Sequence, residues 1–368
     1  MAPAYVSSDL NFIINIETIM TSLFDPLALG PITLPNRLIM APMTRSRADA
    51  DGVPTDLMVT YYAQRASAGL LLTDATYVSP TAKGYSRTLG LHNAAQVAGW
   101  RKVTDAVHAK GGRIFVQLYH TGRVSVPPLL PEGVQPVAPS AVAIKGKNYT
   151  DFGPIDFVTP RALELDEIAG VAAEFGAAAR NALEAGFDGV ELHAASGYLV
   201  HQFLDASINH RTDAYGGSVA NRVRFALEAI DAIIAAVGAE RTGVKISPRI
   251  KFNDVTDPDA EEVYPHLARE LSARGIAYLH GGLQGAYPVH DAIRPVFKGL
   301  YFAGAGLDQA KGAAMLEQGG ADAIVYGKLF ISNPDLPRRF RDGLPLAADD
   351  PKTHYGKGPE GYTDYPEA

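Results

Sequence analysis

The chain contains no cysteine. That absence excludes disulfides, thiolate nucleophiles, cysteine-ligated zinc and iron–sulfur clusters. No apolar run approaches the roughly 18 residues that a membrane helix needs. The N-terminal stretch has neither a basic region nor a signal-like apolar segment, so the expectation is a soluble, cytoplasmic protein. Basic runs are absent too. Lys and Arg number 33 against 40 Asp and Glu, a net charge of −7, which argues against nucleic acid or an anionic membrane as a partner. Charged residues make up 20% and hydrophobic ones 47%, enough for a large core and against disorder.

What is present is an alternation. Residues 1–21 fit no regular element and read as a peripheral extension, with Met20 just ahead of Ser22-Leu23-Phe24-Asp25-Pro26. From residue 22 to 368 the pattern is that of a single domain, since α/β barrels exceed 200 residues as one unit. Continuous apolar runs predict eight strands at Arg37–Met40, Gly69–Ala75, Arg113–Leu118, Gly189–His193, Thr242–Ser247, Ile276–His280, Leu300–Ala303 and Ala323–Tyr326. Such runs, bounded by turns, suit strands covered on both faces. Amphipathic helices lie between them. Trp100, Val103 and Val107 share a face, and Gly111-Gly112 stops that helix. Ile168, Val171, Ala172, Phe175 and Ala179 form a second stripe, and Val223, Ala226, Leu227, Ile230, Ile233, Ile234 and Val237 a third. Eight strands with intervening helices point to a (β/α)8 TIM barrel; a doubly wound open sheet is the alternative on this pattern alone. The long Pro- and Gly-rich stretch Thr121–Pro160 reads as a lid insertion after strand three.

Chemistry in a barrel sits where the strands end. The residues there are Thr44, Gln117, His193, Lys245, the Gly304-Ala305-Gly306 turn and Gly327-Lys328. Small residues after strands seven and eight let backbone N–H groups approach a phosphate, although a tight turn with a helix cap reads the same way. His193, at a strand end, can donate into the barrel mouth. Ser196 and Tyr198 follow on the same loop, and a Tyr, neutral at pH 7, can deliver a proton to a carbanion. A packed His beside a core Tyr is the plainer reading of those residues.

The stretch His193-Ala194-Ala195-Ser196-Gly197-Tyr198, running on to Arg211-Thr212-Asp213-Ala214-Tyr215-Gly216-Gly217, closely resembles the signature of the old yellow enzyme family. Further motifs follow the family order from about Leu23 to Pro366. They include Ala41-Pro42-Met43-Thr44-Arg45, Tyr61-Tyr62-Ala63-Gln64-Arg65, Gln117-Leu118-Tyr119-His120-Thr121-Gly122-Arg123, Asn333-Pro334-Asp335 and Gly361-Tyr362-Thr363-Asp364-Tyr365-Pro366. The resemblance implies a tightly bound FMN across the barrel mouth. Pro42, Met43 and Thr44 would line the isoalloxazine, with Ala75 and Gln117 at the ring and Lys245 as the cation beside N1. Gly304, Ala305, Gly306, Gly327 and Lys328 would hold the phosphate. Tyr119 and Tyr355 would shape the substrate pocket, His193 and Ser196 would grip the activating oxygen, and Tyr198 would protonate. The implied activity is ene-reduction of enones, enals, maleimides and nitroalkenes, with NADPH or NADH as a transient hydride donor. No G-x-G-x-x-G follows the first strand, no metal is implied, and a monomer or homodimer is expected.

The sequence departs from the family at three places. Ser196 stands where Asn or His is usual. Lys245 and Lys328 replace Arg, keeping the charge but losing the bidentate fork. The segment Gly281-Gly282-Leu283-Gln284-Gly285 also differs. These departures leave two other readings: a flavin-poor barrel that merely binds ligands, and an aldolase or isomerase in which Lys245 forms a Schiff base.

Overall fold

The computed structural model describes residues 21–282, 288–304 and 306–368. The predicted extension thus lies almost wholly outside the described residues, as do Leu283-Gln284-Gly285 and Ala305. Eight parallel strands form a closed barrel: β1 Leu38–Met40, β2 Leu70–Tyr77, β3 Ile114–Tyr119, β4 Gly189–Ala194, β5 Thr242–Ile246, β6 Tyr278–Gly281, β7 Leu300–Gly304 and β8 Ala323–Tyr326. Each pairs with its neighbours in order, and β8 returns to β1. All eight predicted strands are present, with ends displaced by at most two residues. The sheet is closed, so the open-sheet alternative falls.

Helices cover the outside. α1 Asp56–Gln64, α2 Ala94–Ala109, α3 Ile168–Glu184, α4 Val219–Val237, α5 Ala260–Ala273, α6 Val289–Ile293 and α7 Gln309–Glu317 follow the first seven strands in turn. Asn93 and Ser218 cap α2 and α4 by accepting from the backbone N–H three residues on. Gly111, with φ of 77°, turns the chain after α2 in a conformation that a Cβ resists. The inner faces of the predicted stripes, among them Trp100, Val103, Phe175, Ile230 and Ile233, are fully buried against the strands.

The barrel lumen is filled separately. Ile39, Leu70, Leu72, Phe115, Tyr278, Phe302 and Val325 point inward and pack as one cluster, with the Tyr278 and Phe302 rings stacked 4.2 Å apart. The hairpin Leu27–Leu29 and Ile32–Leu34 adds Leu27, Leu29 and Leu34 beneath them. Side chains on a strand alternate, so the residue two beyond each inward apolar one also points inward. Those next residues are Gln117 after Phe115, His280 after Tyr278 and Gly304 after Phe302. A polar layer therefore sits directly on an apolar plug. Thr121–Pro160 contains short 3-10 turns and an antiparallel hairpin, Lys147–Thr150 with Gly153–Asp156.

Candidate active site

The C-terminal ends of the strands surround a cavity of about 1040 Å³, at the upper edge of the roughly 300–1,000 Å³ usual for ligand pockets. Pro42, Met43, Thr44, Ala75, Gln117, His193, Ser196, Tyr198, Lys245, Lys328 and Tyr355 all line it. Residues as far apart in sequence as Pro42 and Tyr355 meet there, as the barrel requires. A smaller cavity of about 430 Å³, around Thr81, His120 and Arg161, lacks such a constellation.

Four expected residues are not among the side chains that line the larger cavity. Tyr119 is buried behind the wall, its ring edge-on to Tyr198 at 5.2 Å and 6.2 Å from His193. It backs the pocket rather than lining it, because β3 is still in the barrel at that position. Gly304 and Gly327, at the end of β7 and in the turn after β8, put no side chain into the cavity. A Cβ on Gly304 would come 3.1 Å from His280 Nε2, so the absent side chain makes room for an imidazole. Gly306, with φ of 75°, lies on the exposed turn beyond β7.

His193 is neutral and its tautomer is fixed. Its Nδ1 accepts the backbone N–H of Ala195 at 3.2 Å, so Nε2 carries the proton and is the donor. Burial holds its pKa well below the usual range, and Lys245 beside it adds to the fall. Register places the two directly opposite each other on β4 and β5. The Tyr198 ring stands edge-on to His193, with centroids 4.9 Å apart. Its phenol lies 3.3 Å from that of Tyr85. Burial, then the neighbouring Tyr85 and Tyr119, push its pKa well above the usual value, so it keeps its proton.

Ser196 adopts φ of 59°. The strained backbone is pinned on both sides: its N–H donates to Ser247 Oγ at 2.9 Å, and its carbonyl accepts from Asn253 Nδ2 at 2.8 Å. Thr44 owes its place to Arg45. The Arg45 backbone N–H donates to Asp74 Oδ2 at 2.7 Å, and its guanidinium donates to the carbonyls of His354 and Gly361. A register shift in β2 between Leu72 and Ala75 leaves Asp74 facing this cluster while Ala75 faces the cavity. Tyr61 and Tyr362 stack 4.0 Å apart beneath the Arg45 guanidinium. The motifs around Tyr61 and Gly361 thus form a clamp that brings Tyr355 to the cavity.

Sequence reasoning missed Tyr85, Asn253, Phe252, Arg87 and the hairpin residues Lys147–Asp151, all of which line the cavity. Tyr85 follows β2 and Asn253 follows β5, so their positions after strand ends were the available signal. The aromatic rim, with Tyr149, Phe252 and Tyr355 at 80%, 48% and 70% exposure, carries no such mark.

The lining suits a flat, partly anionic ring system. Lys245 and Lys328 reach the cavity, and neither ammonium has a hydrogen bond or ion pair among the described residues. Pro42, Ala75 and Met43 offer apolar faces, and Thr44 and Gln117 offer polar edges. Comparison with known proteins agrees. The family model of the NADH:flavin oxidoreductase / NADH oxidase family matches residues 22–347, which defines the class as a flavin oxidoreductase on a barrel. A probable flavin mononucleotide-dependent alkene reductase of Leishmania infantum is 44% identical, covering 93% of this chain and 96% of that protein. The 12-oxophytodienoate reductase 1 of Oryza sativa subsp. japonica is 41% identical, covering 94% and 92%. Morphinone reductase in complex with tetrahydroNAD superposes with a TM-score of 0.92 at 48% identity, over 95% of this chain and 98% of that one. The chain belongs to the NADH:flavin oxidoreductase / NADH oxidase family and, within it, to the old yellow enzymes.

Proposed function

We propose that the protein is an FMN-dependent ene-reductase acting on activated alkenes: enones, enals, maleimides and nitroalkenes. The observation that carries this reading is the pairing of a neutral imidazole donor, His193, with a proton-retaining phenol, Tyr198, whose ring centroid is 4.9 Å away, in a cavity that Lys245 also lines. Bound FMN supplies the hydride chemistry, accepting two electrons from NADPH or NADH and returning a hydride to the alkene β-carbon.

The residues do the rest. Lys245, Gln117 and Thr44 hold the polar edges of the flavin, Pro42, Met43 and Ala75 its faces, and Lys328 with the turns at Gly304, Gly306 and Gly327 its phosphate. Nε2–H of His193, and Ser196 beside it, polarise the activating oxygen and stabilise the charge that grows on it. Tyr198 delivers its proton to the α-carbon and is the general acid. Tyr85, in contact with the Tyr198 hydroxyl, supports that transfer. Tyr149, Phe252 and Tyr355 form an apolar entrance that favours flat, apolar alkenes, with the Lys147–Asp156 hairpin acting as a lid. Residues 22–368 serve as one FMN-binding unit, in the cytoplasm, as a monomer or homodimer.

The test is optical. Purified protein shows the absorption of oxidised flavin, bleaches anaerobically with NADPH or NADH, and regains its colour on addition of cyclohexenone. A colourless protein that does not take up added FMN refutes the reading.

A further inference from the structure

Glu191 is a charged residue inside a strand buried on both faces, and it is fully buried. It lies two residues below His193 on β4, facing inward between the apolar plug and the cavity floor. Gln117, its register partner on β3, donates Nε2–H to Glu191 Oε1 at 2.7 Å. His280 Nδ1 lies 3.1 Å from Glu191 Oε2. His280 in turn is the register partner of Lys245, which is also opposite His193. One carboxylate is therefore held by an amide and an imidazole, and Lys245 stands two residues beyond Gly243, the register partner of Glu191 on β5, on the same face of the strand.

This arrangement bears on the lysine-for-arginine departure at position 245. A guanidinium stays charged in any protein interior, whereas a buried ammonium sheds its proton readily. Burial pulls the Lys245 pKa down, and Glu191 is the group that pulls it up. The titratable neighbours on the flanking strands are His193 and Glu191 on β4 and His280 on β6. Burial lowers the pKa of both imidazoles, and Lys245 lowers it further in each; an imidazole, neutral or protonated, cannot balance an ammonium, which leaves Glu191 as the anion among these neighbours. Glu191 itself stays ionised: burial raises its pKa, but His280, Lys245 and the Gln117 amide outweigh that.

We propose that Glu191 is a positioning residue that keeps Lys245 protonated in the cavity floor, so that a lysine serves where only a permanently charged side chain would otherwise hold the flavin's developing negative charge. This rests on the flavin reading above. A buried carboxylate that merely tied Gln117 and His280 together would have no effect on proton uptake during flavin reduction.

The experiment is the pH dependence of the bound-flavin midpoint potential between pH 6.5 and 9.5, measured on holoenzyme. With Lys245 charged throughout, two electrons bring one proton. The wild-type potential then falls by about 30 mV per pH unit, the value for a tenfold change in a two-electron couple. In Glu191→Gln, Lys245 loses its proton in the oxidised enzyme and regains it on reduction. The slope steepens to about 60 mV per unit over part of the range. Glu191→Gln combined with Lys245→Arg returns to the single-proton slope, because the guanidinium does not titrate. Should Glu191→Gln not fold, Glu191→Asp, whose carboxylate falls short of Gln117 and His280, shows the steepening at higher pH. A yellow variant, Gln or Asp as available, that keeps the wild-type slope across the range overturns this inference alone. A colourless wild-type protein overturns it together with the flavin reading.

Discussion

Replacing Ser196 by Asn tests one of the positions where the chain departs from the family pattern. The backbone at 196 is held at φ of 59° by hydrogen bonds at both its N–H and its carbonyl. The direction in which any side chain leaves is thus fixed. A serine hydroxyl on that vector is short, while an asparagine amide reaches further along the same line into the cavity. Asparagine also enters the left-handed region more readily than serine. The backbone gain is bounded by the roughly 1–2 kcal/mol that the conformation costs an ordinary residue. The catalytic gain is bounded by what one oxyanion donor contributes, about 2.7–4 kcal/mol, or 10²–10³ in rate. Because Ser196 supplies part of that already, kcat/KM for cyclohexenone should rise about tenfold. N-Substituted maleimides, with two carbonyls to carry the charge, should change little, and the melting temperature should rise or stay constant. Steady-state kinetics on both substrates decide the matter. An equal loss on both would refute the missing-donor argument and show instead that serine makes room for bulk.

Tyr198→Phe should leave flavin reduction by NADPH near normal but slow reoxidation by cyclohexenone by about 10²–10⁴-fold, as stopped-flow traces of the two half-reactions will show. His193→Ala should stay yellow yet bind p-substituted phenols far more weakly; in the wild type, kcat/KM for cyclohexenone should lack an inflection near pH 6.5, since the imidazole is already neutral. Tyr62→Phe should destabilise the fold by about 1–3 kcal/mol for each group left unpaired, because Tyr62 donates to Asp74 Oδ1 at 2.6 Å and accepts from the Asp74 N–H at 2.8 Å; denaturant unfolding measures this. His120 is buried with its pKa lowered to about 3, so it binds fewer protons folded than unfolded: its contribution is intact above about pH 6.5 and is lost as pH falls from there towards 3. His120→Asn should show a shallower acid decline in melting temperature than the wild type over that window.

The strands were legible because each is covered on both faces and so reads as an unbroken apolar run, and the helices because their stripes keep a 3.6-residue period. That His193, Tyr198, Thr44, Gln117 and Lys245 line one cavity was legible from motifs at strand ends. Tyr119 was misplaced because sequence marks a strand end only to within a residue or two, and one step decides between wall and backing. Gly304 was read as an approach to phosphate, and nothing in the sequence signals that its missing side chain also makes room for His280. Tyr85 and Asn253 meet Tyr198 and Ser196 only through loop geometry, which no local pattern encodes. Glu191 did leave a signal, a lone acid in Gly-Val-Glu-Leu-His, but its partners lie on strands 74 and 89 residues away.

The Arg45 clamp has a consequence for how the chain reaches its native state. Arg45 bonds the carbonyls of His354 and Gly361, 309 and 316 residues further on. At synthesis rates of about 5–20 residues per second, roughly 15–60 s separate the emergence of these partners. Throughout that interval Arg45 and Tyr61 have been made while Tyr362 has not. The barrel's first and last segments therefore close after the bulk of the polypeptide exists, and such long-range closure is intrinsically slow. A ribosome-bound nascent chain lacking residues 354–362 has β1 through β8 but no clamp, so its cofactor cavity lacks His354 and Tyr355.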